Sequence, residues 1–279
     1  MFRMGLVFAC ISPHGSEVIP ELAGGMLDAF AETRRSMIEL TSMMKRQNVN
    51  TIVLATPHNL RLEAKIGVVT TEFTEGSIKE NDKLVELRCS CDKQFAKGIL
   101  EKARESKLPV VGANYGTNDG PASCMPMDWG TLIPLWFFIG QGKEDPKVVL
   151  VTPSREIPLR KLVEFGNVIS DVATTSGKRV AFVASADQGH AHRADGPYGY
   201  NPASAEFDQL VKEAVQKNDL GPLMSLSKKF VEDAKPDSLW QLAILHGILM
   251  RTRMVGRFLS YQVPTYFGVL CASYLPAEE

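Results

Sequence analysis

The sequence alternates short apolar runs, rich in Val, Ile and Leu, with longer amphipathic segments, and this alternation constrains the fold most strongly. Such a pattern is typical of a β-sheet whose faces are covered by helices. Several of the short runs are apolar throughout, as expected for strands that are buried on both faces. The sequence predicts strands at Gly5–Ile11, Thr51–Thr56, Lys65–Thr71, Val110–Ala113, Val148–Thr152, Val180–Ser185 and Phe267–Ala272.

The longer segments predict helices at Leu22–Arg46, Leu159–Thr174, Ser204–Val215 and Ser238–Arg253. The stretch Asn201-Pro-Ala-Ser is typical of a helix start, because Asn is a good N-cap and Pro is tolerated in the first turn. No linker rich in Pro, Gly or Ser interrupts the chain. We therefore predict one α/β domain over residues 1–279, with a central, largely parallel mixed sheet covered by helices on both faces.

The composition argues against several classes of protein. The chain has 31 Lys and Arg residues against 32 Asp and Glu residues, whereas nucleic-acid-binding proteins normally carry a basic excess. The N-terminal apolar run breaks at Pro13 without a cleavage site, and the longest other run, Leu132–Ile139, is too short to span a membrane. The five cysteines fit neither a zinc finger nor a disulfide framework. We expect a cytoplasmic protein with no membrane or nucleic-acid partner.

Three of the five histidines, His14, His58 and His190, follow predicted strands. In a largely parallel sheet the carboxyl ends of the strands share one edge, and α/β proteins bind ligands at that edge. His14 and His58 each come directly after a proline, which ends strand pairing and turns the next side chain out of the sheet. A single loop histidine usually just bonds to backbone, but three in the same placement favour a site. Two neutral imidazoles there are good ligands for a divalent metal.

A carboxylate is needed to complete a triad of two histidines and one acid, which leaves three positions of Fe(II) open for a bidentate substrate and dioxygen. The candidates are Glu232, Asp233 and Asp237 near the last helix, with Asp128 and Asp187 as further possibilities. The alternative role of Asp237 is to cap that helix.

The other two histidines are less informative. We expect His192 to be exposed to solvent beside Arg193 and Asp195, and His246 to lie on a helix face or at the edge of the core.

A series of short motifs, taken in their order and spacing, resembles the class III extradiol ring-cleavage dioxygenases, the family of the protocatechuate 4,5-dioxygenase catalytic subunit. The motifs are Ser12-Pro-His14-Gly, Thr56-Pro-His58, Asp128-Trp-Gly-Thr-Leu-Ile-Pro-Leu, Ser185-Ala-Asp-Gln-Gly-His190, Pro197-Tyr-Gly-Tyr-Asn-Pro and Ala205-Glu-Phe-Asp208. The resemblance covers nearly the whole chain. It implies an Fe(II)-dependent enzyme that opens the ring of a catechol-type or 2-aminophenol-type aromatic with O2.

The resemblance also implies roles for individual residues. His14 and His58 would be iron ligands, and His190 would be the catalytic acid and base. Asp237 is the acidic residue closest to the third ligand position of the family. Their closeness to the motif histidines makes four residues candidates for the substrate-binding wall: Asn59, Trp129, Tyr198 and Tyr200. Because members are commonly multimeric, we also expect a homo-oligomer.

The chain departs from the family pattern at three positions. Asp237 stands where members usually carry Glu, and Gln262 follows Tyr261 where Glu is usual. Trp129 replaces a histidine that many members have, so we expect a more apolar pocket that is less suited to an acidic ring substituent. The sequence does not name the substrate.

Two other functions stay open. One is a catalytically inactive homologue that acts as a partner subunit or interaction protein, but such a protein would be expected to lack at least one of His14, His58 and His190. The other is a zinc hydrolase that uses the same two metal-binding histidines. That enzyme needs a general-base Glu beside a zinc-bound water, and the chain has no HExxH spacing.

Overall fold

In a computed structural model of the protein, residues 4–139 and 145–277 are described. The strands in these ranges are β1 (Gly5–Ser12), β2 (Thr51–Ala55), β3 (Ile66–Val69), β4 (Phe73–Glu80), β5 (Lys83–Ser90), β6 (Val110–Ala113), β7 (Cys124–Pro126), β8 (Lys147–Pro153), β9 (Arg179–Ser185), β10 (Met254–Gln262) and β11 (Val269–Pro276). The α-helices there are α1 (Ala31–Arg46), α2 (Lys93–Glu105), α3 (Trp129–Phe138), α4 (Leu159–Thr175), α5 (Pro202–Gln216), α6 (Lys228–Ala234) and α7 (Leu239–Arg251).

Eight strands form one mixed sheet in the order β10-β11-β1-β9-β2-β8-β3-β6. Its four central strands, β1, β9, β2 and β8, run parallel to one another. Strand β11 is antiparallel to β1, and β3 is antiparallel to β8. The carboxyl ends of the four central strands therefore meet at one edge, together with the starts of β11 and β3. This edge is where an α/β sheet holds its ligands.

Helices cover both faces of this sheet. Val53 and its neighbours on one face pack against α2, α4, α5 and α7, for example through Phe165. The next residue, Leu54, points to the opposite face because strand side chains alternate, and there the core includes Met37 of α1 and Phe138 of α3. The predicted single α/β domain with helices on both faces is confirmed. None of the helices in the described ranges combines the length and the hydrophobicity that crossing a membrane requires.

All seven predicted strands are present, but the helix predicted over Leu22–Arg46 starts too early. The α-helix begins only at Ala31, and Gly24–Met26 before it forms a short 3-10 turn. Gly24 has a φ of +51°, in the left-handed region that glycine adopts readily and other residues avoid. The apolar spacing upstream of Ala31 was therefore not a sign of a regular helix.

A second, three-stranded sheet of order β5-β4-β7 was not predicted from the sequence. Strands β4 and β5 form a hairpin whose turn residues, Asn81 and Asp82, have φ values of 49° and 58°. Positive φ at both central residues is what a tight hairpin turn of this type requires. Charged residues such as Lys79 and Lys83 flank the turn and hide the apolar pattern of a strand.

Helices α4 and α7 approach closely at a pair of glycines. A Cβ atom on Gly166 would lie 2.1 Å from the carbonyl oxygen of Ile244, and one on Gly247 would lie 2.0 Å from that of Val163. No side chain fits at these distances, so the two backbones must be free of Cβ atoms where they cross. The contact fixes the position of α7 and of the residues just before it.

We predict that Gly247→Ala lowers the free energy of unfolding by about 1–3 kcal/mol, because the added methyl group forces α4 and α7 apart. Gly98→Ala is the matched control, since Gly98 is also helical and its Cβ would meet only Val172, at 3.4 Å. There alanine should be neutral, or stabilising by up to about 1 kcal/mol, because of its better helix propensity. Urea denaturation of both variants measures the difference. Equal changes would contradict the close crossing.

Candidate metal centre

The three strand-end histidines meet at the predicted edge of the sheet. His14 follows β1, His190 follows β9 and His58 follows β2, and these strands are neighbours in the order β1-β9-β2. The Nε2 atoms of His14, His58 and His190 lie 3.2, 3.5 and 3.8 Å from one atom, Oδ2 of Asp237. The fold thus brings together all four residues that the sequence analysis named as metal ligands or acid/base.

Asp237 reaches this point from the segment between α6 and α7. Residue Ser238 is the N-cap of α7, and the carboxylate of Asp237 is turned to the histidines instead of capping the helix. Its Oδ1 accepts a hydrogen bond of 3.1 Å from the backbone N–H of Asp187. The two alternative ligands from the same region, Glu232 and Asp233, pair with lysines on α6.

The two remaining candidate carboxylates have other partners. Asp128 caps α3, accepting from the Thr131 N–H at 3.1 Å, and it also accepts from the Thr56 hydroxyl at 2.8 Å. Asp187 is buried and accepts from the backbone N–H of His14 at 3.0 Å. Its Oδ2 lies 3.4 Å from the Nε2 atom of His14, so it contributes charge to the site.

A chain of hydrogen bonds orients the ring of His14. Its Nδ1 lies 3.0 Å from the hydroxyl oxygen of Ser185, and that hydroxyl donates to the carbonyl of Gly130 at 2.6 Å. A serine hydroxyl has one proton to give, so Nδ1 of His14 must be the donor to Ser185. In the neutral ring the lone pair is then on Nε2, which faces Asp237. This is the tautomer that a metal ligand needs.

His190 is held in the same tautomer by a different partner. Its Nδ1 lies 2.7 Å from the carbonyl oxygen of Gln188, which can only accept, so Nδ1 carries the proton and Nε2 faces the cavity. The ring stacks on Phe267 with centroids 5.5 Å apart. At 3.8 Å from Asp237, its Nε2 is farther from the carboxylate than those of His14 and His58. It lies beside the donor atoms, within reach of a ligand that they hold.

His192 is not exposed, contrary to the expectation from its charged neighbours. Only 10% of its side chain is accessible, because its Nε2 bonds to the fully buried carboxylate of Asp208 at 2.9 Å. Asp208 also accepts from the hydroxyl of Tyr261 and from the backbone N–H of Gly189, both at 2.7 Å. The last bond secures the residue that precedes His190. Asp208 therefore helps to position the His190 loop.

The donor atoms of His14, His58 and Asp237 fit a divalent metal ion. Their ligand atoms all lie within 4.8 Å of one another, and in the described part of the chain no other such group of His, Cys, Asp or Glu occurs. Separations of 3.2 and 3.5 Å suit ligands that each bind one ion at about 2.0–2.2 Å. Two imidazoles and a carboxylate suit a first-row metal such as Fe(II) or Zn(II).

Two buried carboxylates set the protonation of the site. Burial alone would lower the pKa of His14, but the charges of Asp187 and Asp237 outweigh it and raise that pKa to about 9. For the Asp237 carboxyl, burial acts in the opposite direction and would raise the pKa. The neighbouring His14 and His58 outweigh it and hold that pKa well below its usual range. The pKa of the Asp187 carboxyl is raised by its burial. Without a metal, the site therefore keeps a proton on His14 at neutral pH.

The site opens into a cavity of about 840 Å³. Trp129 lies at its rim with its ring 4.2 Å from that of His58, and Tyr198 lies opposite with its ring 6.0 Å from that of His190. Both residues are about half exposed to solvent, at 51% for Trp129 and 56% for Tyr198. The cavity thus offers flat aromatic walls beside the donor atoms.

The other two residues predicted for this wall do not line the cavity. The side-chain amide of Asn59 donates to the carbonyl of Pro126 at 2.7 Å, which turns it away. Tyr200 is 64% exposed, and its backbone forms a bridge with His192 on the outer side of the loop. Sequence proximity to a motif histidine was a poor guide here, because Asn59 adopts a left-handed φ of 68° directly after His58, and Tyr200 lies well beyond His190.

Several residues of the cavity were not found from the sequence. Arg155 follows β8, so the strand-end rule that identified the histidines also applies to it. Phe267 precedes β11, whose antiparallel direction places its start at the same edge. Arg61 and Lys235 belong to irregular segments, and no periodicity marks them.

Known proteins resemble this chain over most of its length. A family model described as the catalytic LigB subunit of aromatic ring-opening dioxygenase matches residues 8–269. A Clostridium acetobutylicum protein named "Protein CA_C1420" is 27% identical over 251 residues, which are 90% of this chain and 53% of that protein. The chain thus spans about half the length of this relative.

Solved structures share the fold. One of them is the crystal structure of an Escherichia coli K12 protein titled "uncharacterized protein JW3007", with a TM-score of 0.59 and 14% sequence identity. The match covers 96% of this chain and 99% of that one. At this identity the likeness shows the architecture alone.

We predict that metal binding releases about one proton near neutral pH, since a ligating imidazole must be neutral while His14 is protonated below about pH 9. The apparent affinity should rise with pH and level off above about 9, where the proton is already lost. Calorimetric titration with Zn(II) in buffers of different ionisation enthalpy measures the proton count. A heat that is independent of the buffer would show that His14 is neutral before the metal binds.

Proposed function

Because this chain belongs to the LigB family of aromatic ring-opening dioxygenase catalytic subunits, we propose that it uses non-haem Fe(II) and O2 to open a catechol-type or 2-aminophenol-type ring. The observation that carries the proposal is the convergence of three strand-end histidines on the buried carboxylate of Asp237. In this proposal His14, His58 and Asp237 hold the metal. The aromatic substrate and O2 are the two reactants.

The bound metal would supply open coordination positions for two adjacent heteroatoms of the substrate and for O2, and a path for electrons between them. The protein orients the donor atoms for metal binding. Ser185 holds His14 in the ligating tautomer, and the backbone N–H of Asp187 holds Asp237. Removing a group that hydrogen-bonds to a metal ligand in this way typically weakens metal binding by about 10–100-fold.

His190 is suited to move the substrate proton. Its Nε2 has a free lone pair in the neutral ring and faces the cavity beside the donor atoms, while its Nδ1–H is held by Gln188. A substrate hydroxyl bound next to Asp237 would lie within reach of this nitrogen. An imidazole accepts and returns protons readily near neutral pH. His190 would thus take the proton on binding and return it as the ring opens.

The aromatic side chains suit a flat substrate. Phe267 and Tyr266 pack beside His190, and Trp129 lies against His58, so the donor atoms lie between aromatic surfaces. Aromatic rings prefer offset or edge contacts with one another, which orients a bound ring.

The two alternative functions, an inactive homologue and a zinc hydrolase, make different demands on the site. An inactive homologue would have no reason to retain the Ser185 and Asp187 contacts that prepare His14 and Asp237. A zinc hydrolase would need a carboxylate placed as general base beside a zinc-bound water, and the chain has no HExxH spacing. The family match supports the dioxygenase.

Anaerobic reconstitution with Fe(II), followed by 4-substituted catechols or 2-aminophenol and then O2, tests the proposal. A dioxygenase gives a yellow ring-opened product and consumes one O2 per ring. The absence of product from every substrate, together with hydrolytic activity under Zn(II), would reject the proposal in favour of the hydrolase. The absence of both activities and of bound metal would favour the inactive homologue.

For His190→Ala, we expect full metal occupancy and a loss of turnover of about 100- to 10,000-fold, the usual effect of removing a general acid and base. His246→Ala is the matched control, because His246 lies on α7 away from the cavity. Metal analysis and O2 uptake measure the two quantities separately. Unchanged turnover in His190→Ala would remove the histidine from the mechanism, and loss of metal would make it a ligand.

A further inference from the structure

The loop that carries His190 is hydrogen-bonded along its whole backbone. Each of the five consecutive N–H groups from Gln188 to His192 donates to a different acceptor outside the loop, at 2.7 to 3.2 Å. In the order of the donors, the acceptors are the carbonyl of Gly268, the carboxylate of Asp208, the carbonyl of Ala234, the hydroxyl of Ser204 and the carbonyl of Tyr266. The loop is therefore fixed by α5, by the end of α6 and by the segment before β11.

The hydroxyl of Ser204 links this loop to the segment that carries Asp237. It accepts the N–H of Ala191 at 2.8 Å and donates its own proton to the carbonyl of Ala234, also at 2.8 Å. Ala234 is the last residue of α6, three residues before Asp237, and its carbonyl also accepts the N–H of His190 at 3.1 Å. One side chain thus joins the residue after His190 to the segment that leads into Asp237.

This bridge lies in the interior of the protein. Ser204, Ala191 and Ala234 are all buried. A Cβ atom on Gly189 would lie 2.7 Å from both the Cα and the Cβ atoms of Ser204, so the loop and α5 are in direct contact there. Without the hydroxyl, the N–H of Ala191 would be left unpaired in a buried place, which is unfavourable. The loop would then have to shift to find another partner.

Helix α5 holds the loop on both sides of His190. Ser204 and Asp208 are four residues apart, so their side chains lie on the same face of the helix. Asp208 binds the N–H of Gly189 and Ser204 binds that of Ala191. Neither of the two helical side chains lines the cavity. Any effect they have on the chemistry must therefore act through the position of His190.

A second link joins the same two segments at the metal end. The backbone N–H of Asp187, which precedes the loop, donates to Oδ1 of Asp237 at 3.1 Å. The loop and the Asp237 segment are thus connected both before and after His190. Two segments that are joined at two points cannot shift independently. A constraint placed on the carboxylate of Asp237 is therefore transmitted to the imidazole of His190.

We infer that Ser204 is a positioning residue that couples the His190 loop to Asp237, so that a metal bound at Asp237 also fixes the imidazole of His190. The roles of His190 and Asp237 rest on the proposed function, whereas the hydrogen-bonded link between them does not. In the metal-free protein Asp237 is held by hydrogen bonds, including the one to His14 at 3.2 Å. A coordinating metal holds a carboxylate more firmly, and the Ser204 bridge carries this constraint to the loop.

Hydrogen exchange of backbone amides with and without saturating Zn(II) tests the coupling, and it requires no turnover. In the wild-type protein we expect Zn(II) to slow exchange of the His190 and His192 amides by about tenfold or more. In Ser204→Ala the same metal should slow these amides by less than about threefold, because the bridge is lost. Equal rates with and without Zn(II) in the wild-type protein would overturn the inference, and so would an undiminished zinc effect in Ser204→Ala.

Ser170→Ala is the matched control. Ser170 is also a buried serine of a helix, and its hydroxyl is 2.5 Å from that of Thr252, at the end of α7 remote from Asp237. This variant loses a buried hydrogen bond and should keep the whole zinc effect. Thermal unfolding checks that each variant is folded. Ser204→Cys replaces Ser204→Ala if the alanine variant does not fold, because a thiol fills the same space and is only a weak hydrogen-bond partner.

Turnover gives a second measurement. At saturating Fe(II), we expect Ser204→Ala to lower kcat by roughly 10–100-fold and to leave KM within about twofold, because a misplaced His190 impairs proton transfer and not chelation of the substrate. A merely structural role of Ser204 would reduce the amount of folded enzyme and leave kcat per folded molecule unchanged. That second result would overturn the inference.

The outcomes separate this inference from the proposed function. A zinc effect that is lost in Ser204→Ala, found without opening of any ring by the wild-type protein, would retain the coupling and reject the dioxygenase. Ring opening with equal kcat in the wild-type protein and Ser204→Ala, together with an equal zinc effect, would retain the dioxygenase and reject the coupling.

Discussion

The buried carboxylate of Asp237 joins three histidines that the chain supplies from three different strands. A buried charge is costly unless it is paired, so this carboxylate requires a positive partner. In the metal-free protein the partner is the proton on His14, whose pKa the carboxylates Asp187 and Asp237 raise to about 9, against the effect of burial. A divalent ion at the same point would replace that proton and satisfy both acids more completely. The site is therefore arranged for a cation before any ligand arrives.

The rest of the fold holds these groups in register. Parallel pairing of β1, β9 and β2 aligns the loops that carry the histidines. The glycine contact between α4 and α7 sets the start of α7, which follows Asp237. Asp208 holds the backbone beside His190. Helix packing, strand pairing and one buried carboxylate thus act on the same edge of the sheet, and a change in any of them displaces the donor atoms.

Most of the central strands and two of the proposed metal ligands could be predicted from the sequence, for physical reasons. Continuous apolar runs mark buried strands, and the Pro-His pairs mark two of their ends, so His14 and His58 could be placed without a structure. Asp237 could not be separated from Glu232 and Asp233, because only tertiary contacts show which carboxylate turns inward. The β4–β5 hairpin escaped because its exposed charges obscure the apolar alternation, and Arg61 and Lys235 escaped because they lie in irregular segments. The structure was needed to identify those site residues that are distant in sequence and meet only in the folded protein.

The most direct test of the central claim is a crystal structure of the Fe(II)-loaded protein, with anomalous diffraction recorded on both sides of the iron absorption edge. We predict one iron peak in contact with His14 Nε2, His58 Nε2 and the Asp237 carboxylate, with His190 adjacent but not bound. An iron peak elsewhere, or one from which Asp237 is turned away, would contradict it.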